Sequence, residues 1–192
     1  MEIQHVNVKL MVSGATIADL EPLIPVFHRW IQGQVFDELL LDIADYGHVP
    51  QGPGVVLIGY QADYGVDDTR GELGVRYNRK APLDGTNQTR LKQAACCALK
   101  ACQRLESEAA LDGKIRFDGR GVEVFVNDRI LAPNNEQNRK TLDPEFRSFF
   151  STLFRGSDYA LAYDTDPRHL LGVTAKSSKA FSVAELIANL GV

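Results

Sequence analysis

The stretch DIADYGHV at residues 42–49 places two carboxylates and an imidazole close together in the sequence, as Asp42, Asp45 and His48. A carboxylate beside a histidine holds the imidazole in one tautomer, an arrangement that general acid–base catalysis uses. We therefore take His48 and Asp45 as candidate catalytic residues. The same trio offers oxygen and nitrogen ligands to a divalent metal. Asp42 and Asp45 fall on opposite faces of a strand, however, which weakens the metal hypothesis.

The loop that follows His48 is rich in glycine, and its backbone N–H groups are available to an acid–base site. Further along, the segment RYNRK at residues 76–80 is the one local concentration of positive charge, although a solvated strand end would look the same. We predict a pocket where this loop meets a tyrosine and a cation, with a small anion or carboxylate as its ligand. The candidate ligand-binding residues are Gly52, Gly54, Tyr60, Tyr64, Arg76, Arg79 and Lys80.

Several well-known sequence fingerprints are absent. The chain has neither the glycine-rich motif of dinucleotide-binding folds nor the phosphate-binding loop of nucleotide hydrolases, and it lacks the zinc-protease and nucleophile-elbow motifs. The sequence thus leaves open whether the protein is an enzyme or a binding protein, and it identifies no cofactor.

The tetrapeptide Ala-Asp-Tyr-Gly occurs twice, at residues 44–47 and 62–65. Side chains alternate between the two faces of a strand, so the Asp and Tyr of one copy do not act together on one substrate atom. We interpret both copies as transitions from a strand to a turn, in which Tyr packs and Gly adopts unusual dihedral angles. Each copy would then lie at the C-terminal end of its strand.

The three cysteines all fall in one predicted helix within residues 87–113. Its apolar stripe includes Cys102, whereas Cys96 points away from the stripe and Cys97 lies on the opposite side. No two thiols face each other and no C-x-x-C spacing occurs, so structural zinc and dithiol redox roles are poorly supported. Cys102 is predicted to be a small core residue.

The hydrophobic patterns predict an α+β protein with a mostly antiparallel sheet, in the order β-α-β-β-β-α-β-β-α-β-β-α. Short turns between neighbouring strands favour antiparallel pairing, and the helices separate blocks of strands. We expect one domain over residues 1–192, with a subdivision near residues 81–87 left open. The first helix is placed at residues 16–30, three strands at 36–46, 55–64 and 72–79, and two more strands within 114–131.

A further helix is predicted over residues 143–156, with Asp143 as its N-cap and Pro144 in its first turn. Its apolar stripe contains four phenylalanines, and the cysteine helix carries a cluster of alanines that permits close packing. Both stripes suit a protein core, and either could also form a subunit interface. The alternative function is accordingly a non-catalytic homodimer that acts as an assembly or interaction module.

Composition narrows the class of partner. A formal net charge of -4 and a pI of about 5.6 make nucleic-acid binding unlikely, because such affinity comes mainly from neutralised phosphates. No segment has the apolar length of a membrane span, and the N-terminal residues alternate like a strand instead of forming a signal peptide. We expect a cytoplasmic protein whose stability requires no metal or disulfide.

Overall fold

The computed structural model describes residues 1–13, 21–50 and 52–191, without the side chain of Arg70. Eight described strands form one antiparallel sheet in the spatial order β2-β3-β4-β5-β1-β6-β8-β7. Together with four described helices, this sheet confirms the predicted α+β class. The strands are β1 (Val6–Met11), β2 (Leu40–Tyr46), β3 (Gly54–Gly59), β4 (Ala62–Asp67), β5 (Gly74–Arg79), β6 (Gly121–Val126), β7 (Tyr159–Tyr163) and β8 (Leu171–Ser177).

The four described helices are α1 (Leu23–Gly33), α2 (Asn87–Ser107), α3 (Glu136–Leu153) and α4 (Val183–Asn189). The first half of the predicted helix at residues 16–30 falls partly outside the described residues. Within the described part, Pro22 precedes α1 and Pro25 lies in its first turn, where a backbone N–H has no partner within the helix. Helix α4 starts with the capping box of Ser182 and Glu185.

The observed order, β-α-β-β-β-β-α-β-α-β-β-α, differs from the predicted order in two places. The run predicted as one strand at residues 55–64 is the pair β3 and β4. A Cβ at Gly59 would lie 2.5 Å from the carbonyl oxygen of Ala62, so glycine permits the tight reversal there. Among the described residues, only β6 forms between residues 114 and 131, because Ile115 and Phe117 enter the core without joining the sheet.

Helix α3 begins seven residues earlier than Asp143, so the predicted N-cap is wrong. The Asn135 side chain accepts a hydrogen bond from the backbone N–H of Asn138 and caps the helix there. Pro144 lies inside the helix. Asp143 instead accepts hydrogen bonds from Arg147 Nε at 2.7 Å and from the Tyr163 hydroxyl at 2.8 Å.

The two faces of the sheet differ sharply in chemistry. On β1, Val6, Val8 and Leu10 point toward the helices and are at most 2% exposed, whereas Asn7 and Lys9 alternate with them and point to the other side. No described helix packs on that second side, which we call the helix-free face. Its central residues are Asn7, Lys9, Val56, Ile58, Gly65, Asp67, Arg76, Asn78, Glu123, Phe125 and Thr174.

Both helical stripes considered for a dimer interface are buried against other elements of the same chain. The alanines of α2 and Cys102 are at most 1% exposed, as α2 packs against β1 and β5. The phenylalanines of α3 are at most 2% exposed and contact Tyr159 and Tyr163 of β7. A homodimer stays a prediction, and its interface would have to use another surface.

One sheet contains strands from both sides of residues 81–87, because β1 pairs with β5 on one edge and with β6 on the other. The segment itself is held by hydrogen bonds from Leu83 to Gln4 and from Arg90 to Leu83.

Among the described helices, none has the length and apolar character required to cross a membrane.

Candidate functional site on the helix-free face

A row of directly paired residues crosses the helix-free face in the middle of the sheet. Strand register sets Gly65 beside Arg76, Arg76 beside Lys9, Lys9 beside Glu123, and Glu123 beside Thr174. Three adjacent strands, β5, β1 and β6, therefore each carry a charged side chain in this row. A sheet face in contact with water usually carries polar groups that are more scattered. Lys9 is 2% exposed and Glu123 is 6% exposed, so the centre of this row is buried even though no described helix covers it.

Lys9 reaches a carboxylate two strands away. Its ammonium group forms an ion pair with Asp67, at the end of β4, and approaches the carbonyl oxygen of Thr69 at 3.5 Å. Strand β5 lies between them, and Gly74 is the β5 residue paired with Asp67. A Cβ at residue 74 would lie 2.6 Å from Lys9 Cε, so the missing side chain leaves the path that the lysine follows.

The second oxygen of Asp67 is not fully satisfied. Asp67 Oδ1 takes the ion pair with Lys9 and accepts from the backbone N–H of Thr69 at 3.3 Å. Asp67 Oδ2 has no hydrogen-bond partner among the described groups, and Arg76 Nη1 lies 3.5 Å from it. A buried acceptor without a donor costs about 1–3 kcal/mol, so its presence requires an explanation.

Arg76 is also incompletely partnered. Its guanidinium carbon lies 5.3 Å from the centre of the Phe125 ring, a cation–π contact that supports one face of the group. Its Nε has no hydrogen-bond partner in the described part of the chain. The side chain is 26% exposed. Arg76 therefore keeps unused donors next to the unused acceptor of Asp67.

Two cavities meet at these two residues. One, of about 350 Å³, extends toward β2 and β3, and the other, of about 310 Å³, extends toward β6 and the loop before β8. Both are lined by Asp67 and Arg76. The first adds Ala44, Tyr46, Pro53, Val56, Ile58, Asp63, Gly65 and Asn78, and the second adds Lys9, Thr69, Glu123, Phe125, Arg129, His169 and Leu170.

The outer residues of the second cavity are held by their own contacts. Glu123 Oε1 accepts from the Thr174 hydroxyl at 3.1 Å, and His169 Nδ1 lies 2.8 Å from Asp164 Oδ2. Arg129 donates to the carbonyl oxygen of Arg168. These groups form a fixed polar wall, whereas the partly free donors and acceptor lie at the junction of the cavities.

Asn7 adds a second anomaly on the same face. Its side chain is fully buried, and neither amide atom has a hydrogen-bond partner among the described groups. It pairs across the sheet with Asn78 on one side and Phe125 on the other.

The predicted catalytic pair does not form a unit in the structure. Asp45 Oδ1 accepts from the backbone N–H of Gly47 at 2.8 Å, and no hydrogen bond joins Asp45 to His48 among the described residues. Both side chains are exposed. Asp42 Oδ1 accepts from the N–H of Ile43, and no described group of acidic, histidine or cysteine side chains is arranged to hold a metal ion.

The predicted ligand-binding residues separate between the two faces. Gly52 and Gly54 are buried at the end of the loop, where Gly54 opens β3 with a φ of 64°. Tyr60 is 71% exposed in the turn between β3 and β4. Lys80 donates to Asp63 at 2.6 Å and to the carbonyl oxygen of Gly59 at 2.7 Å.

Tyr64 and Arg79 point toward the helices, so the sheet separates them from Arg76. Of the three cations in RYNRK, Arg76 alone lines the cavities of the helix-free face, beside Tyr46 and Pro53 from the ends of the predicted loop. The second Ala-Asp-Tyr-Gly copy opens β4 instead of ending a strand, so its predicted position is wrong, while the first copy does end β2.

Lys9 and Asp67 are the functional candidates that sequence reasoning missed. The polar residues of VNVKL alternate with apolar ones, which is typical of any strand with one solvated face. The signal that was available is the glycine at residue 74, but its meaning depends on which strands flank β5.

Comparison with protein-family models, curated proteins and solved structures found no match.

Proposed function

We propose that the protein binds a small carboxylic acid on the helix-free face, with Arg76 as the group that anchors the carboxylate. The observation that carries this proposal is the pair of unpartnered polar atoms, Arg76 Nε and Asp67 Oδ2, at the junction of two cavities. An arginine presents N–H donors in a planar fork that matches the two oxygens of a carboxylate. Arg76 Nη1 faces Asp67, which leaves the edge containing Nε for a ligand.

The free acceptor narrows the ligand class. Asp67 Oδ2 requires a donor, and its partner in the ligand would be a hydroxyl or ammonium group close to the carboxylate. A 2-hydroxy or 2-amino acid supplies both a pair of acceptor oxygens and a donor on the adjacent carbon. The Phe125 ring and the apolar residues Val56 and Ile58 then provide surface for a short side chain.

Binding requires a movement of one side chain. Both unpartnered atoms are out of contact with solvent, so a ligand reaches them only when Arg76 turns about its side-chain torsions. The arginine is 26% exposed, and its contact with Asp67 is at 3.5 Å, longer than a good charge-assisted hydrogen bond. The Lys9–Asp67 pair below it is buried and supplies a rigid floor.

The test is calorimetric titration with four probes: lactate, alanine, acetate and inorganic phosphate. We expect lactate or alanine to bind more tightly than acetate, and phosphate to bind weakly. Arg76→Gln should weaken binding at least about tenfold, because a hydrogen bond to a charged group contributes about 1.5–3 kcal/mol. Arg120→Gln is the matched control, since Arg120 is exposed and lines neither cavity.

Two results would contradict the proposal. One is the absence of saturable heat with all four probes, and the other is equal affinity in Arg76→Gln and the parent protein. Circular dichroism of each variant separates a lost site from a lost fold.

A further inference from the structure

A larger cavity lies on the opposite side of the sheet, among the helices. Its volume is about 610 Å³, within the range of small-molecule sites. It lies between the α1–β2 connection, strands β4 and β5, and one side of α2. The side chains that α2 contributes, from Thr89 to Lys100, recur at helical spacing, so they form one continuous wall that no other helix covers in the described part of the chain.

The inner part of this cavity is lined mainly by aromatic and neutral polar side chains, together with the Glu38 carboxylate. The Phe36 ring stacks on Tyr64 with ring centres 4.6 Å apart, and the Tyr64 hydroxyl donates to Glu38 Oε1 at 2.7 Å. Gln93 donates to the Tyr77 hydroxyl at 3.0 Å. Burial raises the pKa of Tyr64, so the phenol stays protonated and its hydrogen bond to Glu38 persists. Glu38 Oε2 also accepts from the backbone N–H of Ala62 at 2.8 Å, so the carboxylate in this inner part is held by two described donors.

The outer part carries positive charge on α2. Lys92 and Lys100 are exposed and line the cavity, two helical turns apart on the same side of the helix. Lys100 Nζ lies 3.9 Å from the fully exposed Asp37, a contact too long and too solvated to occupy the ammonium. Arg79 also lines the cavity, but its donors already serve the carbonyl oxygens of Ala81 and Pro82 and the Gln61 side chain.

We infer that this cavity is a second ligand site, which takes an amphipathic carboxylate such as a medium-chain fatty acid. The chain enters the interior between Phe36 and α2, and the carboxylate remains at the surface beside Lys92 and Lys100. The site is separate from the helix-free face, because the sheet lies between them, and it does not depend on the function proposed for Arg76.

The experiment compares decanoate with decanol by isothermal titration, both below the concentration at which decanoate forms micelles. The two ligands share the chain and differ in charge. We expect decanoate to bind roughly fivefold more tightly, about 1 kcal/mol in total, since exposed ion pairs are weak. The variant Lys92→Gln/Lys100→Gln should remove that preference, whereas Arg120→Gln, at an exposed residue that lines none of the three cavities, should leave decanoate binding unchanged.

The rates at which the cysteines are alkylated report where the bound chain lies. Cys96 and Cys97 line this cavity and Cys102 does not. Alkylation by iodoacetamide at alkaline pH, followed by peptide mass spectrometry, should slow at Cys96 and Cys97 when decanoate is bound, with Cys102 unreactive throughout as the marker of an intact core. Absence of decanoate binding, binding without protection of either cysteine, or equal affinity for decanoate and decanol would each overturn the inference.

Discussion

Lys9 and Asp67 form an ion pair although a complete strand, β5, separates their two strands in the sheet. The lysine stem crosses β5 above Gly74, where no side chain blocks it. This crossing brings a buried positive charge to the carboxylate that lines both cavities of the helix-free face.

Gly74→Ala should destabilise the fold by about 1–3 kcal/mol, the usual cost of forcing extra volume into a packed site. The new Cβ would lie 2.6 Å from Lys9 Cε and 2.7 Å from the carbonyl oxygen of Leu10, and the second of these atoms belongs to the backbone and moves little. Urea denaturation measures the change. Gly65→Ala is the matched control on the same face, because its Cβ would make contacts of 3.5 Å or longer. Equal losses in the two variants would contradict the crossing described here.

Removal of one partner of the buried pair should cost about 3–5 kcal/mol, since it leaves a charge in a site closed to water. We expect Lys9→Met and Asp67→Asn each to show a large loss of unfolding free energy. The double variant should lose clearly less than the sum of the two single losses, because no unpaired charge remains. Losses that add in a double-mutant cycle would show that the two groups do not interact in solution.

Asn7→Leu should stabilise the protein by about 1–2 kcal/mol, because it replaces two unpartnered buried polar atoms with apolar atoms of similar volume. Thermal or urea denaturation detects the gain. The neighbouring Asn78→Leu provides the comparison, since the Asn78 side chain accepts a hydrogen bond from Asn127 and should show no gain. A substantial loss of stability in Asn7→Leu would mean that the amide has partners in solution.

Stability should fall as the pH rises from about 10 toward 12, and Tyr77 should account for part of the fall. Burial raises the pKa of Tyr77 to about 12 from its usual value of 10.0. The unfolded chain therefore loses this proton first, so the contribution is complete below pH 10.0 and is lost as the pH passes through the folded pKa. Tyr77→Phe should show a shallower decline, with Tyr60→Phe, an exposed ring, as the control. An unchanged slope in Tyr77→Phe would contradict this account.

Asn135→Ala should destabilise the protein by about 1 kcal/mol through loss of the N-cap of α3. The sequence favours Asp143 and Pro144 as the start of this helix, because both residue types are common at a first turn. The helix nevertheless begins seven residues before Asp143, since Asn135 supplies an equally good cap and α3 tolerates Pro144 in its interior. Denaturation of Asn135→Ala checks which cap operates.

Elements with local signals were predictable from the sequence. The cysteine helix and the phenylalanine stripe of α3 depend on residues that are close in the chain. The candidate site was predictable only in part. Arg76 was identified by its basic neighbours, but Arg79 points to the helix side and Lys80 is paired with Asp63. Lys9 and Asp67 were missed because their burial depends on strands that pair from distant parts of the chain.

The position of β1 in the sheet has a consequence for how the chain folds. Val8 pairs with Tyr77 on one side and with Val124 on the other, so β1 precedes both of its neighbours by long stretches of sequence. The centre of the sheet cannot close until residues beyond 120 have left the ribosome, and a topology rich in distant pairings folds slowly. Until then, the nascent β1 strand exposes Val6, Val8 and Leu10. During synthesis this unpaired apolar strand is therefore a segment to which a chaperone could bind.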